Sequence, residues 1–154
     1  RAVHKSIAPQ MEDAGNLLLA QHVDRIDTGC LVDIFRAEEK SCLLGTDAIR
    51  DGVDVPGRSL RLIVFDRVPW PRPSILHRAR RKAFKRSQYD DLITRLRLKQ
   101  AYGRLVRRNK DSGMFVILDP MMPSRLAGAF PHGVKIERVG LADAVAITHG
   151  FLST

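Results

Sequence analysis

Apolar residues recur every four positions at the start of the chain. Val3, Ile7 and Met11 predict a helix over residues 1–14, ended by Gly15. Pro9 lies inside that pattern and predicts a kink or a late start. The unbroken apolar run NLLLA at 16–20 predicts a buried strand. DTGCLVDIFRAEE follows, with Asp27 or Thr28 as the N-cap and Leu31, Ile34 and Phe35 on one helix face. SCLLG at 41–45 predicts a second strand, GTDAIRDGVDVPG at 45–57 a glycine-punctuated loop, and LRLIVFD at 60–66 a third strand. VPWPRPS holds three prolines in seven residues and predicts an ordered loop or extended turn. Ser74 caps a helix running to about Ser87, and a second helix runs from about Tyr89 to Arg108. GMFVILD at 113–119 predicts a strand. A short helix near 123–130, a strand near 134–139 and a helix near 141–151 complete the pattern.

Strands therefore alternate with helices, and the strands are apolar runs without period-2 alternation. That pattern predicts an α/β fold: a mostly parallel sheet with helices on both faces. Ligands of such sheets bind outside the carboxyl ends of the strands. The 45–57 loop follows one such end and VPWPRPS another. A chain of 154 residues is the size of one ordinary domain, and no repeat or linker divides it.

Composition adds three constraints. No apolar run approaches the roughly 18 residues of a membrane span. Cys30 and Cys42 are too few for a disulfide scaffold, a four-ligand metal site or an iron–sulfur cluster. They are expected to pack as small apolar residues in a reduced, cytoplasmic protein. His4, His22, His77, His132 and His149 lack metal-ligand spacing, so no metal site is expected. The net charge of +9 is concentrated: residues 72–110 hold 14 Lys or Arg against 2 Asp or Glu. A local basic block points to phosphates, in nucleic acid or a nucleotide, or else to a solvated helix face.

Within that block, QAYGRLVRR at 100–108 carries the most specific chemistry. On a helix, Gln100, Arg104 and Arg107 share one face with Gly103 beside them, and Leu98, Tyr102 and Leu105 lie nearly opposite. Tyr89, Leu92, Ile93 and Leu96 fall on the arginine side. The helix therefore either breaks near residue 97 or leaves the core and borders a cleft. An amide and two guanidiniums without a carboxylate among them make an anion site, and planar guanidinium suits phosphate. Gly103 costs the helix about 1 kcal/mol relative to alanine and would allow a close approach. Loop 45–57 offers backbone N–H groups and three aspartates, suited to phosphate and ribose or simply to a well-made turn. Trp70, set among prolines, either packs its loop against the sheet or stacks on a base.

Taken together, these stretches resemble the second motor domain of superfamily-two DNA helicases of the DinG/XPD-like branch. GTDAIRDGVDVPG is similar to helicase motif V, and QAYGRLVRR to motif VI, Q-x-x-G-R-x-x-R. LRLIVFDRVPWPRP with HRARR, and MFVILDPMMPSRL, resemble the stretches flanking motif VI, so the likeness runs in order along nearly the whole chain. The resemblance implies a RecA-like, P-loop NTPase-type fold over residues 1–154, an ATP site shared with a preceding motor domain, and a track for single-stranded DNA. Gln100, Arg104 and Arg107 would approach the ATP γ-phosphate, with Arg107 as the finger, and Gly103, Gly52 and Asp54 would lie against the nucleotide. Thr46, Asp47 and Arg50, with Arg78 and Arg81 of the basic segment, would contact the nucleic acid.

There are also departures from the family. No Gly-Lys dipeptide, and so no Walker A loop, occurs in the sequence, and no DEAH-like sequence is present. ATP and Mg2+ would then be held mainly by a first motor domain preceding residue 1, and no iron–sulfur cluster would belong to this chain. The first strand of the second domain also has no counterpart. A non-catalytic nucleic-acid-binding module with a helicase-like fold needs the basic helix but not the aligned face. A small-molecule α/β enzyme needs an acid–base pair, which the sequence does not offer.

Overall fold

The computed structural model describes residues 2–46, 49, 55, 60–84, 86–106 and 111–154. The chain forms two compact units, Arg1–Leu60 and Arg61–Thr154.

The first unit opens with α1 (Ala2–Asp13), which contains Pro9 and packs on the first strand without burying any residue fully. β1 (Leu17–Ala20), α2 (Thr28–Ala37) and β2 (Ser41–Leu44) follow. Asp27 caps α2, its carboxylate accepting from the Gly29 N–H at 2.8 Å. β1 and β2 pair in parallel, Leu17 opposite Ser41 through Ala20 opposite Leu44. The apolar face of α2 closes on them: Leu19, Leu31, Val32, Phe35, Ile49 and Val55 form the core.

In the second unit, β3 (Leu62–Phe65) leads through the proline-rich loop to α3 (Ile75–Ala83), α4 (Arg86–Leu105) and β4 (Met114–Ile117). A 3-10 helix (Ser124–Ala129) and α5 (Leu141–Leu152) follow. β3 and β4 are also parallel, Leu62 opposite Met114 through Phe65 opposite Ile117. Val68, Leu98, Leu126 and Ala129 form the core, with Phe65, Phe115 and Phe130 packed edge to face around it.

The α/β class and the parallel pairing agree with the sequence pattern. Four particulars differ from it. Each ladder among the described residues has two strands, and Cys42 and Val64 lie exposed, so neither ladder is covered on both faces. Residues 134–139 form no strand: extended propensity gives a strand only where a neighbour pairs with it, and no ladder reaches this segment. The helix near 123–130 is a 3-10 helix, starting after Pro123 and containing Gly128. Both cysteines are exposed and free, not packed as small apolar residues.

The fourth helix also settles an alternative. It runs unbroken through residue 97, its far end does not leave the core, and it ends at Leu105, short of the predicted Arg108. Its buried stripe is Thr94, Leu98, Ala101 and Leu105, while Leu92 and Leu96 are exposed. Thr94 hides the stripe from a hydropathy reading. It is fully buried because its hydroxyl donates to the Asp90 carbonyl at 2.7 Å.

Candidate functional site

On α4 the buried side chains Leu98, Ala101 and Leu105 fix the orientation of the opposite face. That face carries Gln100, Gly103 and Arg104. Gln100 and Gly103 are exposed and Arg104 is half-buried, with a partner of its own in the chain. A side chain at Gly103 would meet no described atom within 4 Å. Nothing in the described chain therefore requires glycine at that point of the helix, and the space beside it is open. Arg107 lies outside the described residues.

Among the positions of the 45–57 loop, Asp47, Arg50, Gly52 and Asp54 also lie outside the described residues. Gly45 and Thr46 are described. A side chain at Gly45 would collide with Ile49, whose N–H donates to the Thr46 carbonyl at 3.0 Å. The absence of Cβ at Gly45 lets the loop turn tightly into the core. Thr46 is held by a residue the sequence reading passed over. Gln21, at the carboxyl end of β1, accepts from the Thr46 N–H at 3.0 Å and from its hydroxyl at 2.9 Å. The Gln21 amide in turn donates to the Thr28 hydroxyl at 3.4 Å. Both donors of Thr46 are therefore engaged by Gln21, and a phosphate would have to displace it. Only position signals Gln21 in the sequence: it is the first polar residue after the apolar run of β1.

The basic segment divides into two populations. Arg81 Nη2 lies 2.9 Å from Asp90 Oδ2, and His77 Nε2 lies 2.9 Å from Asp90 Oδ1. Together they clasp α3 to α4, so Arg81 serves first as a brace. Arg97 Nη1 donates to the carbonyls of Pro69 and Trp70, both at 3.0 Å, and Arg95 donates to the Arg125 carbonyl at 2.7 Å. Arg125 forks onto Asp91 at 2.6 and 3.1 Å, and that carboxylate raises its pKa. Arg78, by contrast, is exposed, and no described residue pairs with it. Arg67 and Arg72 are likewise exposed.

An open cleft of about 600 Å³ lies at the carboxyl ends of β3 and β4, lined by Asp66, Arg67, Leu118, Asp119 and Pro120. This is where parallel strands place ligands. Asp119 organises its rim, accepting from the Val68 N–H at 3.1 Å and the Met121 N–H at 3.0 Å. Among the described residues no three His, Cys, Asp or Glu side chains come together to hold a metal ion. No described helix is long and apolar enough to cross a membrane.

Comparison with known proteins gives a consistent family. The chain is 36% identical over 137 residues to the ATP-dependent helicase DinG of Mycobacterium tuberculosis, covering 84% of this chain and 20% of that protein. It is 31% identical over 126 residues to the 3'-5' exonuclease DinG of Bacillus subtilis, 77% of this chain and 14% of that protein. It is 33% identical over 110 residues to the ATP-dependent DNA helicase YoaA of Escherichia coli, 66% of this chain and 17% of that protein. The chain thus spans a fifth or less of the length of these relatives. The family model of the helicase C-terminal domain matches residues 1–135, and the chain belongs to that family.

Proposed function

We propose that this chain is the C-terminal, RecA-like motor domain of a DinG-like ATP-dependent DNA helicase acting in the cytoplasm. It completes an ATP site formed with a preceding motor domain and carries part of the single-stranded DNA track. The observation that carries the reading is the face of α4: Gln100 exposed and Gly103 open, directly opposite buried Leu98, Ala101 and Leu105. An amide and a guanidinium on one face, with no carboxylate among them, suit the oxygens of a polyphosphate.

ATP, when bound, supplies the phosphoryl bond whose hydrolysis drives movement. The residues of this chain position and neutralise. Gln100 and Arg104 hold phosphate oxygens, Gly103 leaves room for them, and Arg107 stabilises charge that develops on the transferred group. Gly52 and Asp54 border the nucleotide, and Asp47 and Arg50 join Thr46 and Arg78 along the DNA. The phosphate loop and magnesium ligands are assigned to the preceding motor domain, so no step here passes through a metal held by this chain.

The test is the ATPase of the longer protein carrying both motor domains. An arginine finger is worth about 10³–10⁵ in rate. Arg107→Ala should reduce DNA-stimulated turnover at least about 10²-fold. Arg107→Lys should recover only part of the loss, since a point charge lacks the planar fork. Arg108, which lies outside the Q-x-x-G-R-x-x-R pattern, should matter distinctly less. Equal losses for the Arg107 and Arg108 variants, with both folded, would refute the assignment of Arg107 as the finger.

A further inference from the structure

The geometry points to Trp70 as a stacking platform for an unpaired base of single-stranded DNA. This rests on the single-stranded-DNA reading above and adds to it a binding residue outside the two helicase motifs. Trp70 is the only tryptophan of the chain, and 38% of it remains exposed. Among the described residues no aromatic ring stacks on it, whereas Phe65, Phe84, Tyr89, Tyr102, Phe115 and Phe130 each pair ring against ring.

The backbone beneath the indole is fixed on several sides. Pro69, Pro71 and Pro73 limit its dihedral freedom. Arg97 Nη1 holds the carbonyls of Pro69 and Trp70 at 3.0 Å each. The Trp70 N–H donates to the Val68 carbonyl at 2.8 Å, and Val68 is itself buried in the core with its N–H on Asp119. An exposed aromatic ring on a fixed backbone loses little conformational freedom when something stacks on it.

The surroundings select the partner. From Arg67 to Tyr89 the sequence contains no Asp or Glu. Arg67, Arg72 and Arg78 are exposed, and none has a described partner. An exposed π-face carried on an arginine-rich stretch of chain that lacks carboxylates matches a strand that alternates flat bases with phosphates. It does not match an apolar protein surface, which would leave those charges unpaired.

The single tryptophan makes the test direct. The 154-residue chain is titrated with oligo(dT) and with an abasic oligonucleotide of the same length, following both indole emission and anisotropy of a label on the DNA. Stacking predicts that oligo(dT) quenches the emission and the abasic strand does not. Trp70→Ala should weaken oligo(dT) binding about 5- to 150-fold while leaving the abasic affinity unchanged. Trp70→Phe should restore most of it. Equal quenching by both oligonucleotides would overturn stacking, because charge alone would then explain the signal. Binding of oligo(dT) without quenching, and unchanged by Trp70→Ala, would overturn Trp70 and leave the DNA reading standing. No binding of either strand at low salt would overturn both. The quenching arm needs no variant, so a Trp70→Ala chain that failed to fold would not shield the proposal.

Discussion

At Thr94 a polar side chain occupies the centre of a core stripe because its hydroxyl is closed onto its own helix. The position needs volume more than it needs the hydroxyl, since the Asp90 carbonyl keeps its helical N–H partner without it. Thr94→Val should therefore change stability by no more than about 1 kcal/mol, whereas Leu98→Ala, one turn on and fully buried, should cost about 2–5 kcal/mol. Urea unfolding of the two variants checks the contrast. Cys42 makes a different residue-scale prediction. It reaches solvent, yet partial burial raises its thiol pKa above the ordinary value. The folded chain then holds that proton to higher pH than the unfolded chain does. The Cys42 contribution to stability should decline as pH rises through the ordinary thiol range. In a Cys30→Ser background, alkylation by iodoacetamide at pH 8 should be slower in the native chain than in urea. A faster native rate would contradict the shift.

At the scale of the element, α3 is amphipathic in an unusual sense. Ile75, 83% exposed, shares its outer face with Leu76, Ala79 and Ala83, while His77 and Arg81 turn to Asp90 on α4. No residue of α3 is buried, so its attachment depends on that polar clasp and on the stack of Phe84 with Tyr89 at 5.5 Å. Asp90→Ala should raise amide hydrogen exchange in α3 selectively and leave α4 protected. Because the Arg81 side chain is 41% exposed, the global cost should stay near or below about 1 kcal/mol. Elements of this kind show how far the sequence could be read. Caps at Asp27 and Ser74, and apolar runs bounded by polar residues, carry local signals, so those helix starts and the four paired strands were legible, whereas the run at 134–139 found no partner. The clasp was not, because a carboxylate nine residues beyond His77's neighbour Arg81 looks like any surface acid. The carbonyls that hold Arg95 and Arg97 belong to residues 27 to 30 positions away, and backbone acceptors have no sequence signature. Gln21 escaped for the same reason: what it holds at Thr46 is 25 residues distant. The face of Gln100, Gly103 and Arg104 was legible because helical periodicity alone opposes it to Leu98 and Leu105.

At the scale of the whole molecule, the net charge of +9 suggests a polyanion partner, but charge counted from sequence overstates what a polyanion can use. Arg81, Arg95, Arg97 and Arg125 already hold carboxylates or carbonyls within the chain. Removing one of these damages the fold before it damages binding. Among the described residues, Arg67, Arg72, Arg78, Arg80, Lys82 and Lys99 are exposed and have no described partner, and the available set is drawn from them. Each phosphate neutralised on a single strand contributes about −0.7 to the slope of log affinity against log salt concentration. If the available set engages four phosphates, the slope for oligo(dT) should be about −3. Arg78→Ala should make it shallower by about 0.7 with the melting temperature unchanged. Arg81→Ala should do the reverse, lowering the melting temperature while leaving the slope close to that of the parent chain. The same preparation should not hydrolyse ATP, since the residues that would bind the phosphate chain and magnesium are assigned to another motor domain. Titration at three salt concentrations with a parallel thermal melt separates the two populations. An Arg81 variant that loses slope and keeps its melting temperature would mean that the clasp onto Asp90 yields to DNA. Arg81 would then belong to the track after all.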